Sequence, residues 1–217
     1  MTDIQPIKLW LTPPGPNPYK VLVILEELSL PYEIISFKFD DVKKPPFVTL
    51  NPNGRVPAIE DPNTGLTLWE SGAIILYLVE QYDTQGRLTH GDKVVERNLE
   101  RQWLMFQMSG QGPYFGQAAW FNILHPERIP SAMARYSAEV RRILSILDGH
   151  LATSPYLVGD KLTYADFSFI PWNSMVDILP GESKEEVFKG YKNVVRWQDS
   201  IMARDSWKKC VDTRAIL

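Results

Sequence analysis

The sequence predicts two successive architectures in one chain, an α/β domain with a mixed sheet followed by an all-α bundle. Three observations lead there. Strand and helix signals alternate over the first eighty residues, and a polar stretch with little to bury follows. Beyond it strand signals vanish while apolar spacings of three and four take over. At 217 residues the chain exceeds a usual single core. The expected boundaries are a first domain over 1–83, a linker over 84–92 and an all-helical domain over 93–217.

Ile7 to Leu11 reads as a strand, Val21, Ile24, Leu25 and Leu28 fall on one helical face, and Tyr32 to Phe39 reads as a second strand, which makes a βαβ unit. Asn51, Pro52, Asn53 and Gly54 then cluster as turn formers, and a short strand is entered through Val56-Pro57. After the turn Asp61 to Gly65, the residues Leu66, Leu68 and Trp69 make a hairpin partner. Glu70-Ser71-Gly72 opens an apolar helix over 71–82. βαβ followed by ββα is the order of a thioredoxin-like domain.

In the second half, Tyr136, Val140, Ile143, Leu144, Leu147 and Leu151 form one helical stripe. Thr163-Tyr164-Ala165-Asp166 carries a capping hydroxyl with a carboxylate three residues later, and Leu162 and Phe167 stand where a hydrophobic staple sits. These residues are read as starting a helix rather than as catalytic.

Several features of the first domain suit a small peptide ligand. Pro57 has no amide hydrogen to give a neighbouring strand. A cis Val56-Pro57 bond would turn the carbonyl and amide of Val56 toward an open site, where a ligand backbone pairs as an added strand does. Ser71 is placed at the N-cap of its helix. The first amides and dipole of that helix favour a carboxylate, and Glu70 beside it suits an ammonium group. A carboxylate and an ammonium on one carbon describe an amino-acid end, such as a γ-glutamyl group. At the first helix, Asn17 is placed at the N-cap and Pro18 at the first helical position. A helix N-terminus stabilises a thiolate, and a side-chain amide adds a hydrogen bond. Asn17 leads as the thiol's partner; Tyr19 and Thr12 are the competing hydroxyls.

Composition narrows the classes. Apolar residues make up 44% and charged residues 23%, with a net charge of −3, so no concentrated basic face for nucleic acid is expected. No run approaches the eighteen or more apolar residues that cross a bilayer, and the first ten residues lack the pattern of a signal peptide. Cys210 is the only cysteine, which excludes an internal disulfide and fits a reducing, cytoplasmic compartment. His90, His125 and His150 show no metal-ligand spacing, and no metal is expected.

The spacing from NPNGRVPAI (Asn51 to Ile59) to ESGAIILYL (Glu70 to Leu78) resembles the glutathione site of a glutathione transferase. GPNPYKV, SGQGPYFGQAAWF, RYSAEVRRIL and YLVGDKLTYADFSFIPWN extend the resemblance over nearly the whole chain. They are similar to the fungal members related to the yeast prion-forming nitrogen regulator and to their bacterial disulfide-reductase cousins. The resemblance implies the glutathione transferase fold, glutathione as co-substrate, and a homodimer. It implies that Asn17 contacts the glutathione sulfur, that Val56 supplies backbone contacts beside Pro57, and that Glu70 and Ser71 hold the γ-glutamyl end. It also implies that Lys44 lies near the glycine carboxylate and Arg135 near the site. The chain departs from the bacterial pattern at Gly15, where a threonine stands two residues before the asparagine, and it lacks the long Asn-rich extension of the prion-forming relative.

Two functions follow as expectations. The first is a glutathione-dependent enzyme that lets the bound thiolate attack a small electrophile or a disulfide, with some preference for disulfide exchange. The second is a non-catalytic module of the same fold that regulates or scaffolds. Tyr114, Phe115, Trp120, Phe121 and Trp172 are candidates for apolar walls around the second substrate, with core or dimer interface as the favoured role.

Overall fold

The computed structural model describes residues 4–217. They form two compact units. One comprises the chain up to Leu88 together with Ala203–Leu217, and the other comprises Thr89–Met202.

The first unit is built on a four-stranded mixed sheet of β1 (Ile7–Leu11), β2 (Tyr32–Ser36), β3 (Ala58–Asp61) and β4 (Leu66–Trp69), in the order β2-β1-β3-β4. β1 runs parallel to β2, with Leu9 opposite Ile34, and antiparallel to β3, with Leu9 opposite Ile59. β3 and β4 form the hairpin expected from the turn residues, with Ala58 opposite Trp69 and Asp61 opposite Leu66. Asp61 sets that turn by accepting from Asn63 N at 2.9 Å, from Tyr77 Oη at 2.6 Å and from Tyr82 Oη at 2.5 Å. Gly65 takes φ +74° there, a conformation that suits glycine.

Two-residue periodicity separates the faces of β1. Ile7, Leu9 and Leu11 are fully buried, while the alternate Trp10 joins Phe37, Val56 and Trp69 around Val42, Phe47 and Ala58. α1 (Asn17–Glu27) and α3 (Ser71–Tyr82) pack on each other, and α2 (Phe47–Leu50) is a single turn that contributes Phe47 to the second cluster. β2 stops at Ser36, short of the expected Phe39; Phe37 N still donates to Leu11 O at 3.3 Å, and its ring packs at a tilt on Phe47 at 4.8 Å and edge-on to Trp10 at 6.1 Å.

The second unit is helical, as expected: α4 (Val94–Phe106), α5 (Gly112–Ala119), α6 (Pro130–Leu151), α7 (Tyr164–Asn173), α8 (Lys184–Phe188) and α9 (Lys192–Met202). The predicted stripe of α6 is its buried face, from Val140 through Leu151, with Tyr136 half-buried. Widened π-helical turns over Gln107–Gln111 and Trp120–Leu124 flank α5. The first turns buried amides inward: Gln107 donates to Gln111 at 3.1 Å, Gln111 to Asn173 at 2.8 Å, and Asn173 to Gln198 at 3.3 Å.

The Thr163 box has formed. Thr163 N donates to Asp166 Oδ2 at 2.9 Å, and the fully buried Asp166 also accepts from Leu157 N and Trp197 Nε1, each at 2.9 Å.

The polar stretch between the domains is tied down at both ends. Asp83 accepts from Arg87 N and Leu88 N, each at 2.7 Å, within the first unit, while Glu100 accepts from Thr89 Oγ1 and His90 N, each at 2.7 Å, within the second. The last helix, α10 (Asp205–Ile216), follows the all-helical segment in sequence but packs on α1. Arg204 binds Glu27 in bidentate fashion at 2.7 and 2.8 Å, and Lys209 reaches Glu26 at 2.8 Å.

Candidate functional site

The candidate site begins in the loop before β3. Asn51, nearly fully buried, accepts from Asn53 N at 3.0 Å and donates to Arg55 O at 2.5 Å, so the chain is held on both sides of the turn. Gly54 takes φ +58°, and a Cβ there would lie 2.6 Å from Lys43 Cδ and 2.7 Å from Val42 O, so only glycine fits. The turn delivers Val56, half-buried, and Pro57, buried, and the Val56-Pro57 bond is cis. A second cis bond joins Pro45 to Pro46.

The start of α1 lies close to this strand entry and is linked to the start of α3 through Lys20 and Ser71. The segment before α1 lies against the loop, since a Cβ at Gly15 would sit in ordinary contact, 3.7 Å from Val56 Cγ2 and 3.7 Å from Pro18 Cδ. The N-cap of α1 is Pro16, with φ −74° and ψ −31°, so Asn17 is the first helical residue and Pro18 the second. This corrects the expected N-cap at Asn17 by one position: the proline already occupies helical dihedrals, which extends the helix backward. Asn17 is half-buried at the first turn.

The start of α3 is displaced in the same direction. Its N-cap is Glu70, which has φ +73° and ψ +112°, and the buried Ser71 is the first helical residue instead of the cap. Glu70 O accepts from Ile74 N at 2.9 Å. A glutamate at positive φ costs on the order of 1–3 kcal/mol, a strain that clusters at ligand sites. The arrangement leaves the Glu70 side chain exposed beside the first amides of α3.

One residue missed in the sequence reading stands between the helices. Lys20 is 0% exposed, and its Nζ donates to Ser71 Oγ at 2.9 Å. Burial lowers the lysine to about 7, against a smaller opposing pull from the Glu70 carboxylate. The signal in the sequence lies in its neighbours: the unbroken apolar run Val21-Leu22-Val23-Ile24-Leu25 leaves little polar face on this helix, and in the structure Pro18 to Leu25 are all buried.

The competing hydroxyls are placed as follows. Tyr19, 2% exposed, donates to Pro13 O at 3.1 Å, and the Arg214 guanidinium lies 5.6 Å from its ring centre. Burial raises its phenol above the ordinary value. Thr12 is fully buried and its Oγ1 has no hydrogen-bond partner. Lys44 is exposed and pairs with Asp41 Oδ1 at 2.8 Å, a contact that raises the ammonium above its usual range. Its neighbour Lys43 is anchored to Asn53 O at 2.6 Å.

Asn17, Val56, Pro57, Glu70, Ser71 and Lys44 thus belong to the first unit, whereas Arg135 is exposed on α6 of the second. Of the candidate aromatic walls, Phe115 is fully buried core, Tyr114, Phe121 and Trp172 are half-buried, and Trp120 is 45% exposed. Among the described residues, no group of three histidine, cysteine or acidic side chains is arranged to hold a metal. No helix among them is long and apolar enough to cross a membrane.

The sequence matches the family model for the glutathione S-transferase N-terminal domain over residues 5–80 and that for the C-terminal domain over residues 113–205. The chain belongs to the glutathione S-transferase family. It is 45% identical to the glutathione S-transferase-like protein gedE of Aspergillus terreus, over 96% of each chain. Its fold superposes on the glutathione transferase URE2P8 of Phanerochaete chrysosporium, solved with oxidised glutathione, with a TM-score of 0.91 and 36% identity, covering 100% of this chain and 98% of that one. Ure2p5 of the same fungus, cocrystallised with 1-(S-glutathionyl)-2,4-dinitrobenzene, gives a TM-score of 0.86 at 36% identity, covering 100% and 97%. Within the family, the chain falls in the fungal Ure2p-like group.

Proposed function

We propose that this transferase activates the glutathione thiol for attack on small electrophiles, on disulfides, or on both. The observation that carries the reading is the pairing, on one domain, of two helix starts with a cis-proline strand entry: Asn17 at α1, Ser71 and Glu70 at α3, and Val56-Pro57 between them in sequence. Ser71 and the first α3 amides receive the γ-glutamyl carboxylate, and the exposed Glu70 receives its ammonium. Val56 pairs with the cysteinyl backbone, and Asn17 with the α1 amides stabilises the thiolate. Lys44 adds positive charge toward the glycine carboxylate, and Arg135 is a further candidate for glutathione binding. Glutathione bound to URE2P8 and a glutathione conjugate bound to Ure2p5 support this assignment.

In conjugation the thiolate forms a carbon–sulfur bond and displaces the leaving group with its electron pair. In reduction it forms a mixed disulfide and releases the partner thiolate, and a second glutathione completes the exchange. The protein supplies position and a lowered sulfur pKa, and needs no cysteine of its own; the sole cysteine, Cys210, is buried, which pushes its thiol up. A metal-free homodimer acting in the cytoplasm completes the reading.

Parallel calorimetric titrations with reduced glutathione and glutathione disulfide at neutral pH test it. Binding of the reduced form is expected. Binding of the disulfide at comparable strength favours the reductase branch, and binding of the reduced form alone favours conjugation. If neither binds, the enzyme reading is refuted and a scaffolding role replaces it.

A further inference from the structure

A lysine with no exposed surface, inside a helix packed on every side, costs more to keep than an apolar residue of the same volume. In this fold its ammonium donates to the hydroxyl of the first residue of α3, 2.9 Å away. A serine oxygen that accepts from an ammonium turns its own proton away from that donor, and the dipole of its O–H is polarised in the same direction. The next anion to reach Ser71 therefore meets a hydroxyl oriented by a group that it does not touch.

We propose that Lys20 is a positioning residue of the γ-glutamyl subsite, a buried cation that holds Ser71 Oγ, offsets Glu70 and recognises an amino-acid carboxylate through the serine. The proposal rests on the placement of that subsite at Ser71 given above and adds a residue and a proton to it.

The groups around Lys20 define its electrostatics. α1 is packed by α3, α10 and β1. From the start of α3 come the Glu70 carboxylate and the Ser71 hydroxyl. The ionisable groups of α10 engage other parts of α1: Lys209 reaches Glu26, while Arg214 and Cys210 act on Tyr19. Lys8 of β1 points to solvent. Among the described residues, Glu70 is the carboxylate that acts on Lys20. A carboxylate bound at Ser71 adds a second, which favours the ammonium form, so the subsite takes up a proton as it fills.

A lysine at about 7 is roughly one-quarter protonated at pH 7.5, so full charging on binding takes up about three-quarters of a proton. S-hexylglutathione, whose sulfur is capped, removes the thiol's own proton from the count. The test is calorimetric titration of the full-length protein with S-hexylglutathione at pH 7.5 in two buffers of different ionisation enthalpy, for wild type, Lys20→Met, Ser71→Ala and the double variant. Wild type is expected to take up more than half a proton. Lys20→Met is expected to take up none and to bind about 10- to 100-fold more weakly, the loss typical of a charge-assisted hydrogen bond. The double variant is expected to bind within about threefold of Ser71→Ala alone, because Lys20 acts through the serine.

Uptake near zero in wild type overturns the proposal, and that reading needs no variant to fold. Uptake that persists in Lys20→Met, or full additivity of the two substitutions, also overturns it. Failure of wild type to bind S-hexylglutathione at all refutes the subsite itself. Tight wild-type binding with an unaffected Lys20→Met variant refutes only the role of the lysine.

Discussion

Replacing Asp166 by alanine and by asparagine separates a helix cap from a core organiser. Asp166 Oδ1 accepts from Leu157 N and Trp197 Nε1, and Oδ2 accepts from Thr163 N at 2.9 Å and from Thr163 Oγ1 at 3.1 Å. Alanine leaves two backbone amides and an indole N–H buried without acceptors. At about 1–3 kcal/mol each, partly offset by removal of a buried carboxylate, the loss comes to about 4–6 kcal/mol. Asparagine keeps the Oδ1 side, and its amide nitrogen donates to a rotated Thr163 hydroxyl, so that only Thr163 N is orphaned; about 2 kcal/mol is expected. For a chain of this size, each kcal/mol moves the melting temperature by about 2–4 °C. Scanning calorimetry should therefore show a fall of about 10–20 °C for alanine and about 4–8 °C for asparagine. A pure N-cap role predicts about 1 kcal/mol for both. An alanine loss below about 2 kcal/mol, or equal losses for the two variants, refutes the four-donor account.

Other outcomes follow from the first unit. Lys20 has a folded-state value near 7 against about 10.4 unfolded, so between pH 7 and 9 the unfolded chain binds the extra proton. Ligand-free stability should rise with pH there by up to about 1.4 kcal/mol per unit from this group, and urea unfolding of Lys20→Met should lack that slope. Glu70→Gly relieves the positive φ and should stabilise the free protein by about 1 kcal/mol in thermal melts while weakening glutathione binding at least tenfold. Asn17→Ala should raise the pKa of enzyme-bound glutathione by about one unit, followed by ultraviolet thiolate absorbance against pH, with little change in affinity.

Much of the first unit was legible because its signals are local. Alternation in Ile7 to Leu11, the turn residues between the hairpin strands and the apolar run after Ser71 each report one element, and the sheet order follows from their succession. The helix starts were read one residue late in the same way twice. Asparagine and serine are common caps, but at position 16 a proline with helical dihedrals precedes the asparagine, and at position 70 a strained glutamate takes the cap. Those are tertiary facts that no propensity encodes. α2 follows two consecutive prolines and is one turn long, too short for a periodic signal, and the π-helical turns beside α5 look in sequence like uninterrupted helix. Lys20 was hidden by its own residue type, since a lysine in a helix is read as solvated until its neighbours are counted.

The return of the last helix to the first unit has a consequence for synthesis. Lys209 and Glu26 are 183 residues apart in the chain, and Arg204 and Glu27 are 177 apart. Everything needed to complete the second unit has been made before the first can be closed. During translation the first unit is thus begun first and finished last, with α1 only partly covered until α10 has been made. A nascent or prematurely terminated chain holds a whole helical unit beside an unfinished sheet domain.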